Sequence, residues 1–234
     1  MSTATSLTAE GIMLESKQES ILGILIFDDV EVLDFTGPFE VFSVCRRVVV
    51  DHKDSDNKDD HDKSPFHVSL IAEAIDRPVI TVGGMKVLAD YSFETCPALD
   101  VLVVPGGMGT RQERFNDKII HFIQRQQRSA QKICSVCTGA LLLAQAGLLD
   151  GLTVTTHWQA LDLLKEWYPK VTVDSQHSVI SQRDGKIYTS AGISAGIDMS
   201  LMVLKDIHGE EVARRTAKHM EYSYPESNKR RIDF

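Results

Sequence analysis

The chain has 234 residues, enough for one α/β domain with a core of its own and no disulfide or metal staples. Hydrophobic residues make up 43% and charged residues 25%, and a net charge of −8 offers no basic stripe for nucleic acid. No apolar run approaches the roughly 20 residues of a membrane span, and the first twenty residues carry neither a signal-peptide core nor an Arg-rich amphipathic pattern. A cytoplasmic protein is expected, in which the four cysteines are thiols.

Residues 1–20 read as a mobile lead-in, 21–222 as the folded domain, and 223–234 as a tail. Ile21–Phe27 is a buried strand, and a helix is predicted from about Gly37 through Arg47, started by the Thr36-Gly37-Pro38 turn. The run from His52 to Lys63 is polar, charged and low in complexity, so a solvated insertion at about 51–64 is expected. Strands follow at Phe66–Ala72, within Ile80–Phe93 (broken at Gly83-Gly84 as a hairpin or strand pair), and at Val101–Val104. Asn116–Arg128 is helical, Lys132–Ser135 is a strand, and Thr138–Ala146 is a helix closed by Gly147. Further elements are predicted at Leu152–Thr155, Trp158–Trp167, Ser178–Gln182, Ile187–Ser190, Ala195–Ile207 and Glu210–Met220. Buried strands alternating with helices predict an α/β fold, a mostly parallel sheet with helices on both faces, and a site at the carboxyl ends of its strands.

Cys137 falls at the turn from a buried strand into a helix, followed by Thr138, Gly139 and Ala140, small residues that let the helix pack close. This is a nucleophile-elbow arrangement with sulfur in place of oxygen, and a helix N-terminus there is expected to lower the thiol pKa. The competing reading is an inert buried cysteine. Cys134 and Cys137 spell C-x-x-C, but no second pair completes a zinc site, and Cys134 lies within the strand, away from the helix start that a redox pair requires. Cys45 and Cys96 read as core or near-surface thiols without a role.

The Pro105-Gly106-Gly107 turn ends another buried strand, so the Gly107 and Thr138 amides are candidates to hold a developing negative charge above the sulfur. Asp34, placed just ahead of the first helix, is the candidate acid: a carboxyl beside a thiolate tends to keep its proton. A helix-capping role competes with that reading. Glu40 is an alternative acid, and His157 is the candidate partner for a conventional Cys–His pair.

Five segments together resemble the ThiJ/PfpI superfamily, single-domain relatives of the class I glutamine amidotransferases. They are Leu33-Asp34-Phe35-Thr36-Gly37-Pro38, Val104-Pro105-Gly106-Gly107, Ser135-Val136-Cys137-Thr138-Gly139-Ala140, Thr155-Thr156-His157-Trp158, and the run from Thr189 to Asp198. The resemblance is narrowest to isocyanide hydratases and extends to the amidase-like domains of AraC-type regulators. It implies a flavodoxin-like three-layer sandwich, a homodimer, Cys137 as nucleophile, Asp34 as acid/base, Thr138 as a contributor, a small-molecule substrate, and no metal or organic cofactor. Relatives with glyoxalase- or protease-like chemistry often place histidine directly after the cysteine, where this chain has Thr138. The regulators carry a helix-turn-helix domain, for which no room is expected beyond the last helix. An oxidation sensor, and a hydrolase or glyoxalase acting on another small electrophile, are the rival expectations.

Overall fold

The computed structural model describes residues 19–46 and 64–231. The expected polar insertion, the first eighteen residues of the lead-in and the last three of the tail lie outside the described residues. Eleven strands and seven helices appear among those described. In chain order they are β1 (Ser20–Leu25), α1 (Val32–Val44), β2 (Phe66–Ala72), β3 (Val79–Ile80), β4 (Lys86–Val87), β5 (Tyr91–Ser92) and β6 (Val101–Val104). Then come α2 (Thr110–Glu113), α3 (Asp117–Gln126), β7 (Lys132–Val136), α4 (Gly139–Gln145), β8 (Thr153–Val154), α5 (Leu161–Trp167) and β9 (Thr172–Val173). The chain closes with β10 (Val179–Gln182), β11 (Ile187–Ser190), α6 (Ala195–His208) and α7 (Glu210–His219).

Seven strands form the central sheet in the order β10-β11-β7-β6-β1-β2-β5, all parallel to their neighbours except the antiparallel edge pair β10–β11. The inner strands are continuous apolar runs because both faces of the sheet are covered. β6 and β11 are buried at every residue. Helices α1, α6 and α7 pack together on one face, while α4 packs with α2 and α3 on the other, which makes the expected three layers. Amphipathic α3 shows how a covering helix is specified. Asn116 caps it by accepting the Lys118 N–H at 3.1 Å, and Ile119, Phe122 and Ile123 form its buried stripe.

One local expectation is corrected. Helix α1 begins at Val32, not at the Thr36-Gly37-Pro38 turn, and runs through Pro38. The N–H that proline lacks would have bonded the Asp34 carbonyl one turn back, so the helix continues with a single ladder bond missing. Asp34 therefore lies inside the first turn of α1. The segment read as a hairpin or strand pair contains one, β3 and β4 pairing antiparallel across Gly83-Gly84, while β5 beyond it joins the main sheet beside β2. Residues of the expected tail that the structure describes are bonded to the domain. Ser178 N–H donates to Asn228 O at 2.8 Å and Arg230 N–H to Gln176 O at 2.8 Å, strapping them just ahead of β10.

The carboxyl ends of β1, β6 and β7 lie side by side, and α4 is seated on the end of β6. A Cβ added to Gly139 would come within 2.0 Å of Val104 O and 2.9 Å of Pro105 O, both backbone atoms. Gly139→Ala should therefore cost about 3 kcal/mol of unfolding free energy by overpacking. Gly147→Ala, where φ is +78° but nothing lies within 4 Å, should cost only about 1 kcal/mol for the left-handed backbone. Urea denaturation of both variants checks this, and equal losses would show that α4 is not seated as described.

Candidate active site

Cys137 occupies the single residue between β7 and the Thr138 cap of α4, and its φ of +54° places it in the left-handed region that L-residues rarely adopt. Surrounding bonds hold it there. Its N–H reaches Ser190 O at 3.1 Å, and its carbonyl accepts the Thr156 hydroxyl at 2.7 Å. The turn aims the thiol across the sheet end, where 6% of the residue remains exposed. Gly192 lies directly against it, since a Cβ there would meet Cys137 Sγ at 2.7 Å and His157 Cδ2 at 2.9 Å.

Asp34 reaches the same place from α1. Its carboxyl is fully buried, with Oδ2 accepting the Gly106 N–H at 3.0 Å. Oδ1 is buried too and has no hydrogen-bond partner. The Cys137 thiol is the polar side chain that interacts with this carboxyl. Burial raises the Asp34 pKa to about 7, against the Gly106 N–H and the thiol, which pull it down, and Glu31 adds a further upward push. The thiol is pushed up as well, first by burial and then by the Asp34 charge, which outweigh the Thr138 N–H and hydroxyl that favour the thiolate. This corrects the expectation of a thiol acidified by the helix N-terminus: a seven-residue helix offers less than burial beside a carboxyl removes.

The predicted amide pair does not form. Gly107 N–H donates to Thr138 Oγ1 at 3.0 Å, so it is spent inside the turn. Thr138 Oγ1 also donates to Gly107 O at 3.1 Å and receives the Thr110 hydroxyl at 3.0 Å, making Thr138 a clamp between the two glycine-bearing turns. The Thr138 N–H is left for the sulfur. His157 lines the site, but its Nδ1 accepts the Gln159 N–H at 3.4 Å in a 3₁₀ turn, and no hydrogen bond joins it to Cys137. Burial first, then Arg230 and Arg111, lower its pKa, so it is a neutral imidazole. Glu40 is exposed on α1, six residues beyond Asp34, and does not line the site. All four cysteines are free thiols, and Cys134 is fully buried inside β7. Among the described residues no group of three or more His, Cys, Asp or Glu is arranged to hold a metal.

Cys137, Thr138 and His157 open onto a cavity of about 200 Å³ whose other walls include Glu31, Met108, Arg111 and Ile193. None of these four was a candidate site residue in the sequence, although Ile193 lies in the Thr189–Asp198 run that carries the resemblance. Glu31 and Arg111 flank recognisable turns, but nothing local distinguishes a charge on a cavity wall from one in solvent. No helix among the described residues is long and apolar enough to cross a membrane.

Residues 20–206 match the DJ-1/PfpI family. The chain is 34% identical over 203 residues to the isonitrile hydratase of Pseudomonas putida, covering 86% of this chain and 78% of that protein. It is 33% identical over 137 residues to the HTH-type transcriptional regulator GbdR of Pseudomonas aeruginosa, covering 58% of this chain but only 36% of the regulator. Among solved structures, a ThiJ/PfpI family protein from Pseudomonas syringae superposes with a TM-score of 0.73 at 26% identity, covering 95% of this chain and 85% of that one. Drosophila melanogaster DJ-1beta shares the fold, with a TM-score of 0.71 at 17% identity over 88% of this chain and 100% of that one. On sequence and fold alike, this chain belongs to the DJ-1/PfpI family.

Proposed function

We propose that the protein is a cysteine-dependent hydratase that converts isocyanides to N-substituted formamides. The observation that carries this reading is the buried Asp34–Cys137 pair, in which a carboxyl with a pKa of about 7 lies against a thiol that keeps its proton. Such a carboxylate is a base beside the thiol near neutral pH, able to take its proton as sulfur bonds to carbon and to return it, which is what addition across R–N≡C requires. The likeness to isonitrile hydratase over most of both chains supports the same chemistry.

Asp34, ionised, takes the thiol proton as Sγ bonds to the terminal carbon, then delivers that proton to the same carbon. The product is a thioimidate, R–N=CH–S, on Cys137. Water next adds to this carbon, with one of its protons passing through Asp34 to nitrogen. The C–S bond then breaks, sulfur recovers the second proton, and R–NH–CHO leaves. Gly106 N–H fixes the carboxyl, and Thr138 N–H stabilises the sulfur as charge gathers on it. The neutral His157, without a bond to Cys137, is not a relay in this scheme. A peroxide sensor is less well supported, because a thiol held protonated reacts slowly with oxidants.

With a simple isocyanide, Cys137→Ala should abolish formamide release, and Asp34→Asn should lower kcat about 10²- to 10⁴-fold. Loss of isocyanide absorbance measures both. Full activity in either variant would sink the scheme. Wild-type kcat/KM should fall below pH of about 7 as Asp34 takes up the proton it must be free of.

The same carboxyl links folding to pH. Its folded value is raised, from 3.8 to about 7, so the native state holds a proton that the unfolded chain releases across that window. Stability should therefore be greatest below pH of about 4 with respect to this group, decline as pH rises to about 7, and level off above it. Asp34→Asn should remove that decline and be the more stable protein at pH 8. Urea midpoints at pH 5 and 8 decide the matter, and an unchanged slope in the variant would mean that Asp34 is not the linked group.

A further inference from the structure

The cavity above Cys137 holds a cation that the chemistry of the pair does not use. Arg111 is the second residue of α2 and lines the cavity. Its neighbour Thr110 anchors it to the reacting turn, donating its hydroxyl to Gly107 O at 2.8 Å and Thr138 Oγ1 at 3.0 Å. The guanidinium itself is nearly unspent: Nη1 makes one long contact of 3.5 Å with Gly107 O. It joins no ion pair among the described residues, although Glu31 lines the same cavity. Unlike a surface arginine free to solvate itself, this one is half-buried beside the nucleophile, with its planar fork of donors available.

We propose that Arg111 reads a carboxylate on the R group, so that the preferred substrate is a small isocyano carboxylic acid. This rests on the hydratase reading. Planar, bidentate donors match a carboxylate, and a partly desolvated pair of that kind is stronger than one in open water. The cavity, at about 200 Å³, accommodates a small R group that keeps its carboxylate within reach of Arg111. Met108 and Ile193 supply an apolar wall for the short carbon stem. Glu31 and the neutral His157 restrict the charge: one carboxylate balances Arg111, whereas a phosphate dianion would also face the Glu31 carboxyl.

The test compares isocyanoacetate with its methyl ester in wild type and Arg111→Gln. Dividing the acid-to-ester ratio of kcat/KM in wild type by the same ratio in the variant cancels the intrinsic reactivities of the two compounds. The expected quotient is about 10 to 100, the worth of one charge-assisted hydrogen-bonded pair, with Arg111→Lys giving an intermediate value. A quotient near one overturns the assignment and leaves the hydratase intact. If no isocyanide is turned over, the hydratase fails, and calorimetric binding of N-formylglycine then decides on Arg111 alone. Affinity at least 10-fold weaker in folded Arg111→Gln supports carboxylate recognition, and equal affinity in the two proteins overturns it.

Discussion

Everything at the site depends on two buried groups that cannot both carry charge. Asp34 and Cys137 come from α1 and from the end of β7, more than a hundred residues apart, and meet where the carboxyl is fully buried and the thiol nearly so. Burial raises both pKa values, and the negative charge of one opposes that of the other. The pair therefore titrates as one unit, in which the carboxyl loses its proton first and the thiol keeps its own until attack. A solvated carboxyl would give its proton up near pH 4 and never return it at neutral pH, while an isolated buried thiol would have no base to activate it.

Around that pair the backbone serves as scaffold. Cys137 is held in a left-handed conformation by bonds from Thr156 and to Ser190, so the β8 and β11 regions secure a residue that belongs to neither. Thr138 fastens the Gly107 turn, and Gly106 fastens Asp34. Glycine at 106 is demanded by space: a Cβ there would meet Thr138 N at 2.5 Å and Asp34 Oδ2 at 2.9 Å. Two glycines in succession thus perform different tasks, one admitting the acid and the other closing on the clamp threonine.

The C-terminal strap contributes to the same scaffold from outside. Arg230 donates to Thr155 Oγ1 at 2.8 Å and to Thr156 O at 3.0 Å, tying the last residues to the turn whose threonine grips the Cys137 carbonyl. Arg231 pairs with the buried Asp198 at 2.8 Å, and Tyr222 donates to the same carboxylate. Residues that read as a tail are thus held by a carboxylate on α6 and by strand-like bonds to Gln176 and Ser178, just ahead of β10. A short run with two arginines and little apolar character gives no local sign of docking, because its partners are spread from Thr155 to Asp198.

What was legible in the sequence was local. The strand–Cys137–helix turn, the Pro-Gly-Gly turn and the alternation of strands and helices each follow from neighbouring residues: an apolar run, a missing Cβ, a cap. Asp34 was recognisable by its motif, though its helix starts earlier than the Thr36-Gly37-Pro38 turn suggests, since a proline within α1 costs one bond without ending the helix. Only the tertiary structure decided the direction in which the thiol titrates, the use of the Gly107 N–H within the turn, the exposure of Glu40, and the arrival of Glu31 and Arg111 at the cavity. These are properties of burial and pairing, set by which distant segments the sheet brings together, and the chain's local order of residues does not contain them.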